Sequence, residues 1–497
     1  MHRQDCHYNI LVLHHFAVLS SRRFSSLAAE GSDMTTDDRE LFEELLDDEG
    51  FAPGLTRSDV LKRGAAASAA IWGVSSLFGA QTAFGGTQAR ALTPTFYQWI
   101  YGLYPDIPKG INKDYGKRHK LDAKIAPVAG FGIERFIAET KKKKSTWDVY
   151  VGMTPFVEMA SLIEAGAIEP WDKYISKSVV ADLIPSIRQE ATYKGHMWSF
   201  PFLLDIIIQA WNGEIVQKAG LDPNNAPKTW DEFIANAKKV VSSKAAPFGA
   251  VFDAHGWRSL APITHTFSTN VYTPAGLFDF TNDATVSALE VMKRLMEVAP
   301  NNILEEGKVD AGVNTTPDEE AFAARQAAYY VKYQNAPTRF AGTWPDPSVL
   351  HIAGLPKQPG GAGGTVFWNT GATLFKYGQN KQLAADYMSF LTHDLRIWKH
   401  ALGKDVRGAS GQLAPYKSMW SQWQKSPPPW MADWAFTVRK QLATSKAIRT
   451  NTFGLQQFVI GKPAWEEYLK GNEKNPKTAL AKARDLVLAE VKKQKKK

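Results

Sequence analysis

The chain has 497 residues, 44% hydrophobic, 22% charged and 12% aromatic, with a formal net charge of +9. That length allows two to four domains with ample buried core, and the ordinary apolar and charged content excludes a disordered or collagen-like chain. One cysteine, Cys6, excludes internal disulfides and cysteine-held zinc, and only 64–86 is apolar enough to pose a membrane question, so a polytopic membrane protein is excluded.

The first ninety residues differ from the rest. Residues 1–91 carry 8 Lys/Arg against 12 Asp/Glu, so 92–497 carry 51 against 38, a net of +13. An acidic block at 37–49 gives way to Arg57, Lys62 and Arg63. An uncharged Ala/Ser/Gly-rich stretch follows at 64–86, and Ala89-Arg90-Ala91 offers a small-x-small cleavage site. Cationic flank, apolar segment and small residues, in that order, are what a secretory signal needs. We therefore expect a leader over 1–91 cleaved near Ala91, with 34–91 the export signal, translation beginning at Met34, and 1–33 outside the natural protein. The segment 56–62 is similar to a twin-arginine export signal, with Ser58 where the second arginine stands. An uncleaved anchor is the competing reading, since 23 uncharged residues just span a bilayer.

Beyond the leader, 95–100 (TFYQWI) and 123–128 (AKIAPV) read as strands, 132–141 as a helix and 148–153 (DVYVGM) as a third strand. Residues 156–165 carry apolar side chains at helical spacing and stop at Gly166. Further helices are expected at 230–241, 285–298, 381–391 and 477–492. A Gly/Pro-rich connector, 356–364 (PKQPGGAGG), precedes another apolar segment, 365–375. Strands separated by helices in this rhythm predict parallel, doubly wound α/β layers.

Signatures of catalysis are absent from the sequence. No histidine spacing suits zinc, the glycines at 360–364 precede no Lys-Ser/Thr, and Gly130-Phe131-Gly132 lacks the third glycine of a dinucleotide fingerprint. No carboxylate pair stands out for glycoside hydrolysis. Lysine runs at 141–144 and 492–497 come without a recognition helix or RNA-binding signature and read as solvated surface. No catalytic residue, metal, cofactor or nucleic acid is expected. Aromatics are the informative feature. Fifteen of the 16 tryptophans follow the leader, and Trp99, Trp257, Trp344, Trp368 and Trp420 stand beside polar or glycine residues in expected loops. Aromatic faces stack on the C–H faces of sugar rings while Asp, Asn, Gln and Arg bond the hydroxyls, so we read the excess as ligand contact.

Five segments carry a family resemblance. They are 148–175 (DVYVGMTPFVEMASLIEAGAIEPWDKYI), 193–205 (YKGHMWSFPFLLD) followed by Trp211-Asn212, 218–233 (KAGLDPNNAPKTWDEF), 321–333, and 352–375. In this order they resemble the family 1 extracellular solute-binding proteins of ABC transporters. Arg325-Gln326 departs from the family's usual glycine-lysine. The resemblance covers nearly all of 92–480 and implies the type 2 periplasmic-binding fold, two α/β lobes joined by a hinge with ligand in the cleft. By analogy the chain crosses near 204–206, 356–365 and 401–415, giving lobes of 92–204 plus 358–408 and 206–355 plus 409–497.

Strand ends facing the cleft then nominate Trp99, Tyr101, Met153, Thr154, Asp205, Trp257, Tyr333, Trp368 and Asn369 as ligand-binding residues. The implied function is capture of a sugar or related polyhydroxylated solute in the periplasm by a monomer, and its delivery to an ABC importer permease. Alternatives are a receptor of the same fold for a polyamine or other small organic solute, a secreted carbohydrate-active enzyme, and a membrane-anchored sensory or adhesion module of the same fold.

Overall fold

The computed structural model describes residues 91–494, apart from 105, 121, 124–125, 129–132, 311–312, 359, 362 and 406–408. The expected leader lies outside the described residues except for Ala91. Two compact units are distinguished, and the described residues of the smaller, 309–310 and 313–314, belong to the paired strands Lys308–Asp310 and Val313–Thr315. The larger unit, 48–308 with 315–497, holds everything that follows.

Its framework is a ten-stranded sheet whose principal members are β1 (Pro94–Tyr97), β2 (Ala126–Val128), β3 (Val149–Met153), β4 (Phe200–Asn212), β5 (Phe248–Phe252), β6 (Ala327–Tyr333), β7 (Leu350–Ala353) and β8 (Val366–Phe375). They lie in the order β5-β6-β4-β8-β3-β1-β2, with β7 also on β4. The outer pairs β5/β6, β1/β3 and β1/β2 are parallel, as a doubly wound layer requires. The pairings of β4 with β6, β7 and β8, and of β8 with β3, are antiparallel, whereas the short contact of β8 with Lys446–Ala447 is parallel. The all-parallel expectation is therefore corrected to a mixed sheet.

These two central strands are the longest of the sheet, and every residue in both is buried. Thirteen residues at about 3.3 Å each reach roughly 43 Å, enough to serve two halves of a molecule. β4 does so: Phe200 and 203–206 pair with β8, whereas 207–212 pair with β6 and β7. The change of partner falls between Ile206 and Ile207. β8 likewise pairs with Lys446–Ala447 at its start and with β3 from Gly371 onward, with a bulge at 370–372 between the two.

Expected helices at 132–141, 230–241, 285–298, 381–391 and 477–492 correspond to Ile133–Lys141, Trp230–Ser242, Asp283–Leu295, Lys381–Thr392 and Pro476–Gln494. Thr229 caps the second of these by accepting from the Glu232 N–H at 3.1 Å. The segment 95–100 departs from expectation. Its strand ends at Tyr97, paired with Val128 at the last register of β2, and Gln98–Leu103 is helical. Without a ladder partner, a helix is the local way to satisfy the following backbone groups.

Helix Lys417–Lys425 stays with the half that contains β1–β3. Trp423 lies 6.4 Å from Trp398, whose ring faces Phe202, and the Ser418 N–H donates to Asp182 at 2.9 Å. Helix Trp434–Gln441 instead joins the other half, where Gln441 Oε1 accepts from the Leu355 N–H at 3.0 Å. The halves also meet away from the sheet. Phe156, just after β3, lies 5.5 Å from Trp257, and a Cβ on Gly454 would collide with the Phe156 carbonyl.

Candidate functional site

β4 and β8 run side by side where the halves join, and their register sets Trp368 opposite Asp205. Trp368 meets Trp257 edge-on, with ring centroids 5.2 Å apart at 69°, and meets Tyr333 at 6.0 Å and 84°. Tyr333 is the last residue of β6, and Trp257 sits in the turn that follows β5. β8, the end of β6 and the turn after β5 thus deliver three aromatic rings to one wall, and Phe156 closes it from the opposite half. Such edge-to-face pairs match the quadrupoles of the rings, so the wall has a preferred geometry as well as buried area.

A cation underlies two of the rings. The Arg258 guanidinium carbon lies 4.2 Å from the Trp257 centroid and 5.1 Å from that of Tyr333. Arg258 Nη1 donates to Asp253 at 3.3 Å, and Lys332 Nζ contacts Asp253 at 2.9 Å, Asp318 at 3.1 Å and Glu319 at 2.7 Å. Burial pushes the Asp253 carboxyl up, but Lys332 and His255 outweigh it and hold the group well below the usual carboxylate range.

Beside the wall, Asp205 is 2% exposed. Its Oδ1 accepts from Asn335 Nδ2 at 2.9 Å, Gln334 Nε2 at 3.3 Å and Gln412 Nε2 at 3.4 Å. Gln334 also spans the crossing, accepting from the Ile206 N–H at 2.7 Å and donating to the Leu204 carbonyl at 2.8 Å. Tyr104 donates to Gln412 Oε1 at 2.8 Å and accepts from Ser410 at 2.7 Å. Burial pushes the Asp205 carboxyl up to about 7, with the amides of Asn335 and Gln412 holding it back.

The family described as bacterial extracellular solute-binding protein matches residues 102–394, more than half of the chain. The chain belongs to that family. The sn-glycerol-3-phosphate-binding periplasmic protein UgpB of Brucella suis biovar 1 is 29% identical over 186 residues, 35% of this chain and 42% of its own length. A maltotriose-binding protein of Pyrococcus abyssi is 28% identical over 94 residues, 19% of each. The chain therefore matches less than half the length of these curated relatives. Among solved structures, the cyclic α-maltosyl-1,6-maltose binding protein of Arthrobacter globiformis superposes with a TM-score of 0.64 at 18% identity, covering 81% of this chain and 98% of that one. The sugar-binding protein MalE of Xanthomonas citri gives 0.65 at 14%, covering 82% and 98%. A solute-binding protein of Agrobacterium vitis S4 with bound D-mannitol gives 0.60 at 18%, covering 82% and 99%. These likenesses establish the fold, two α/β lobes with a hinge.

Of the nine nominated residues, four come together: Asp205, Trp257, Tyr333 and Trp368. Met153 ends β3 and Thr154 follows it, and both are buried, with the Thr154 N–H donating to the buried carboxyl group of Glu158 at 3.0 Å. Tyr101 is half-buried on helix Gln98–Leu103. Trp99 belongs to the same helix, and its side chain lies outside the described residues. Asn369 is wholly buried and committed internally: its Oδ1 accepts from the Phe202 N–H at 3.1 Å and its Nδ2 donates to Ser199 at 3.0 Å. Its own N–H donates to both oxygens of Glu190 at 3.1 Å.

The tryptophan excess is corrected in the same way. Trp344 and Trp420 are core residues whose indole N–H groups donate to the Ala323 and Ala414 carbonyls, and Trp171, Trp230, Trp398 and Trp465 are fully buried. Most of the excess is packing; Trp257 and Trp368 are the pair at the crossing. The residues missed were Arg258, Gln334, Asn335 and Gln412. Arg258 and Gln334 directly follow the nominated Trp257 and Tyr333, and Asn335 comes one position later, so reading two positions past each nominated residue reaches them. Among the described residues no group of three or more His, Cys, Asp or Glu could hold a metal ion, and no helix is long and apolar enough to cross a membrane.

Proposed function

We propose that this protein is a periplasmic receptor that captures a sugar or related polyhydroxylated solute between its lobes and delivers it to an ABC importer permease, acting by binding and not by catalysis. The observation that carries this reading is the wall of Trp257, Tyr333 and Trp368 set against Asp205 at the crossing. Stacked rings suit the C–H faces of a pyranose or polyol, and a carboxylate with flanking amides suits its hydroxyls. Trp257, Tyr333 and Trp368 are assigned to stacking, Asp205 and Gln412 to hydroxyl contacts, and Trp99, Tyr101, Met153 and Thr154 to the rim supplied by the first lobe. Asn369 is assigned to the hinge.

Maltotriose, cyclic α-maltosyl-1,6-maltose and D-mannitol, named for the similar proteins, are polyhydroxylated, and sn-glycerol 3-phosphate adds a charged ester to the same chemistry. A polyamine fits less well, because Arg258 and Lys332 place positive charge against Trp257 and Tyr333. Ligand contacts made to both lobes favour the drawn-together form in which Phe156 meets Trp257, and a micromolar ligand supplies on the order of 8 kcal/mol at standard state.

In this reading the first lobe comprises 92–206 with 368–425 and the second 207–367 with 431–497, which moves the last crossing from 401–415 to beyond Lys425. The protein works as a monomer that does not bind nucleic acid, exported with a twin-arginine-like signal cleaved near Ala91. A thermal-shift screen of the protein against sugars, polyols, glycerol phosphates, polyamines and amino acids tests the reading. A sugar or polyol at about 100 times its Kd adds roughly 2.7 kcal/mol and raises the midpoint without being turned over. Stabilisation by polyamines or amino acids alone, or release of a shortened sugar over time, overturns it.

A further inference from the structure

Trp257 has no strand ladder to orient it. It lies in the irregular stretch between β5 and helix Leu260–Phe267, yet its ring holds a defined angle to Trp368. Three features bear on that stretch. Asp253 Oδ1 accepts from the His255 N–H at 2.7 Å and contacts His255 Nδ1 at the same distance, which folds the loop back on itself. Asp253 Oδ2 contacts both Arg258 and Lys332, which ties the loop to β6 one residue before Tyr333. The Arg258 side chain is 5% exposed and turns its guanidinium toward both Trp257 and Tyr333.

A guanidinium is a rigid plane that can stack on a ring while its N–H groups bond a carboxylate, and a buried one loses little freedom on doing so. No other described residue contacts both Trp257 and Tyr333 by cation–ring geometry while being bonded to the network beneath them.

We propose that Arg258 is the positioning residue of the aromatic wall, locking Trp257 and Tyr333 into the orientation in which a solute ring stacks on them. This rests on the reading of the wall as the solute site. Arg258 is buried behind the rings, so it acts through them. Lys332 and His255 remain on Asp253 when Arg258 is removed, so Arg258→Met does not leave that carboxylate without a cation.

The test labels the protein with 5-fluorotryptophan and assigns the Trp257 and Trp368 fluorine resonances through Trp257→Phe and Trp368→Phe. Arg258→Met and Arg258→Lys are compared with wild type, first without ligand and then titrated with the sugar or polyol that stabilises wild type most. In Arg258→Met the Trp257 resonance is expected to shift or split while unfolding remains cooperative, and affinity to fall roughly tenfold or more. Arg258→Lys keeps the charge and loses the plane, so it recovers only part of both effects.

Unchanged resonances in Arg258→Met overturn the proposal. So does a moved resonance with unchanged affinity, or lost affinity with unmoved resonances, which would make Arg258 a direct ligand contact. If Arg258→Met does not fold, a wild-type spectrum and affinity in Arg258→Lys overturn it, and a displaced Trp257 signal in that variant supports it. If wild type binds no sugar or polyol, the solute reading fails by itself, and the ligand-free resonances still decide whether Arg258 orients the wall.

Discussion

Two aspartates, Asp205 and Asp253, sit within the same site, one in β4 and one directly after β5, and solvent reaches neither (2% and 0% exposed). Burial raises the cost of charge on both. Their partners differ. Asp205 is met by neutral amides, from Gln334, Asn335 and Gln412, and its carboxyl rises to about 7. Asp253 is met by Lys332, Arg258 and His255, and its carboxyl falls well below the usual range. Hydrogen bonds from neutral donors only reduce the penalty of burying a carboxylate, whereas adjacent cations reverse it. One aspartate is therefore a fixed charge inside the scaffold of the wall. The other exchanges its proton near neutrality at the crossing between the lobes.

Breaking the cationic side of this contrast has the largest expected effect. Lys332→Met removes the ammonium shared by Asp253, Asp318 and Glu319, three carboxylates that are all buried. Uncompensated buried charge of this kind costs about 3–5 kcal/mol, read as a lowered urea midpoint at pH 7. A loss below about 1 kcal/mol would mean that the network is solvated.

The neutral side is sharpened by pH. The folded-state pKa of Asp205, about 7, exceeds its ordinary 3.8, so the native state holds this proton more tightly than the unfolded chain. Its contribution is fully present below about pH 4 and is lost as pH rises to 7, by roughly 4 kcal/mol in all. Asp205→Asn removes this limb from a plot of unfolding free energy against pH. Asp253 works in the opposite sense: its stabilisation is present above the ordinary carboxylate pKa and is lost as pH falls below it. An unchanged pH 4–7 limb in Asp205→Asn would contradict the contrast.

The smallest effect belongs to Asn369, the neutral brace beside them. Asn369→Ala strands the Phe202 N–H and Ser199 hydroxyl, at a cost of about 1–3 kcal/mol, while solute affinity stays within about threefold of wild type. Equal losses of stability and affinity would return Asn369 to the ligand site.

Much of this architecture is legible in the residues. The apolar segment at 365–375 corresponds to the fully buried strand β8, and 156–165 closing at Gly166, which adopts φ +65°, reads as a stopped helix. Strand direction is not legible, because apolar periodicity is the same for parallel and antiparallel neighbours; hence the antiparallel course of β4 and β8 emerged only from their pairing. The strand-end rule nominates Asp205, Trp257, Tyr333 and Trp368, four residues that the structure brings together. It could not separate Asn369 from them, since an amide after an aromatic residue serves a ligand or the backbone equally well, and the choice depends on Ser199 and Glu190. Arg258 was hidden for the converse reason: its role comes from Asp253 and Lys332, the latter 74 residues away in sequence but joined through one carboxylate.

The central claim is that Trp257 and Trp368 form the surface on which a polyhydroxylated solute is held. Isothermal titration of the best-stabilising sugar or polyol into wild type and into the Trp257→Ala/Trp368→Ala double variant measures it directly. The account predicts that the double variant folds and binds at least about tenfold more weakly, a loss of about 1.4 kcal/mol or more. Affinity equal to that of wild type would contradict it and place the solute elsewhere.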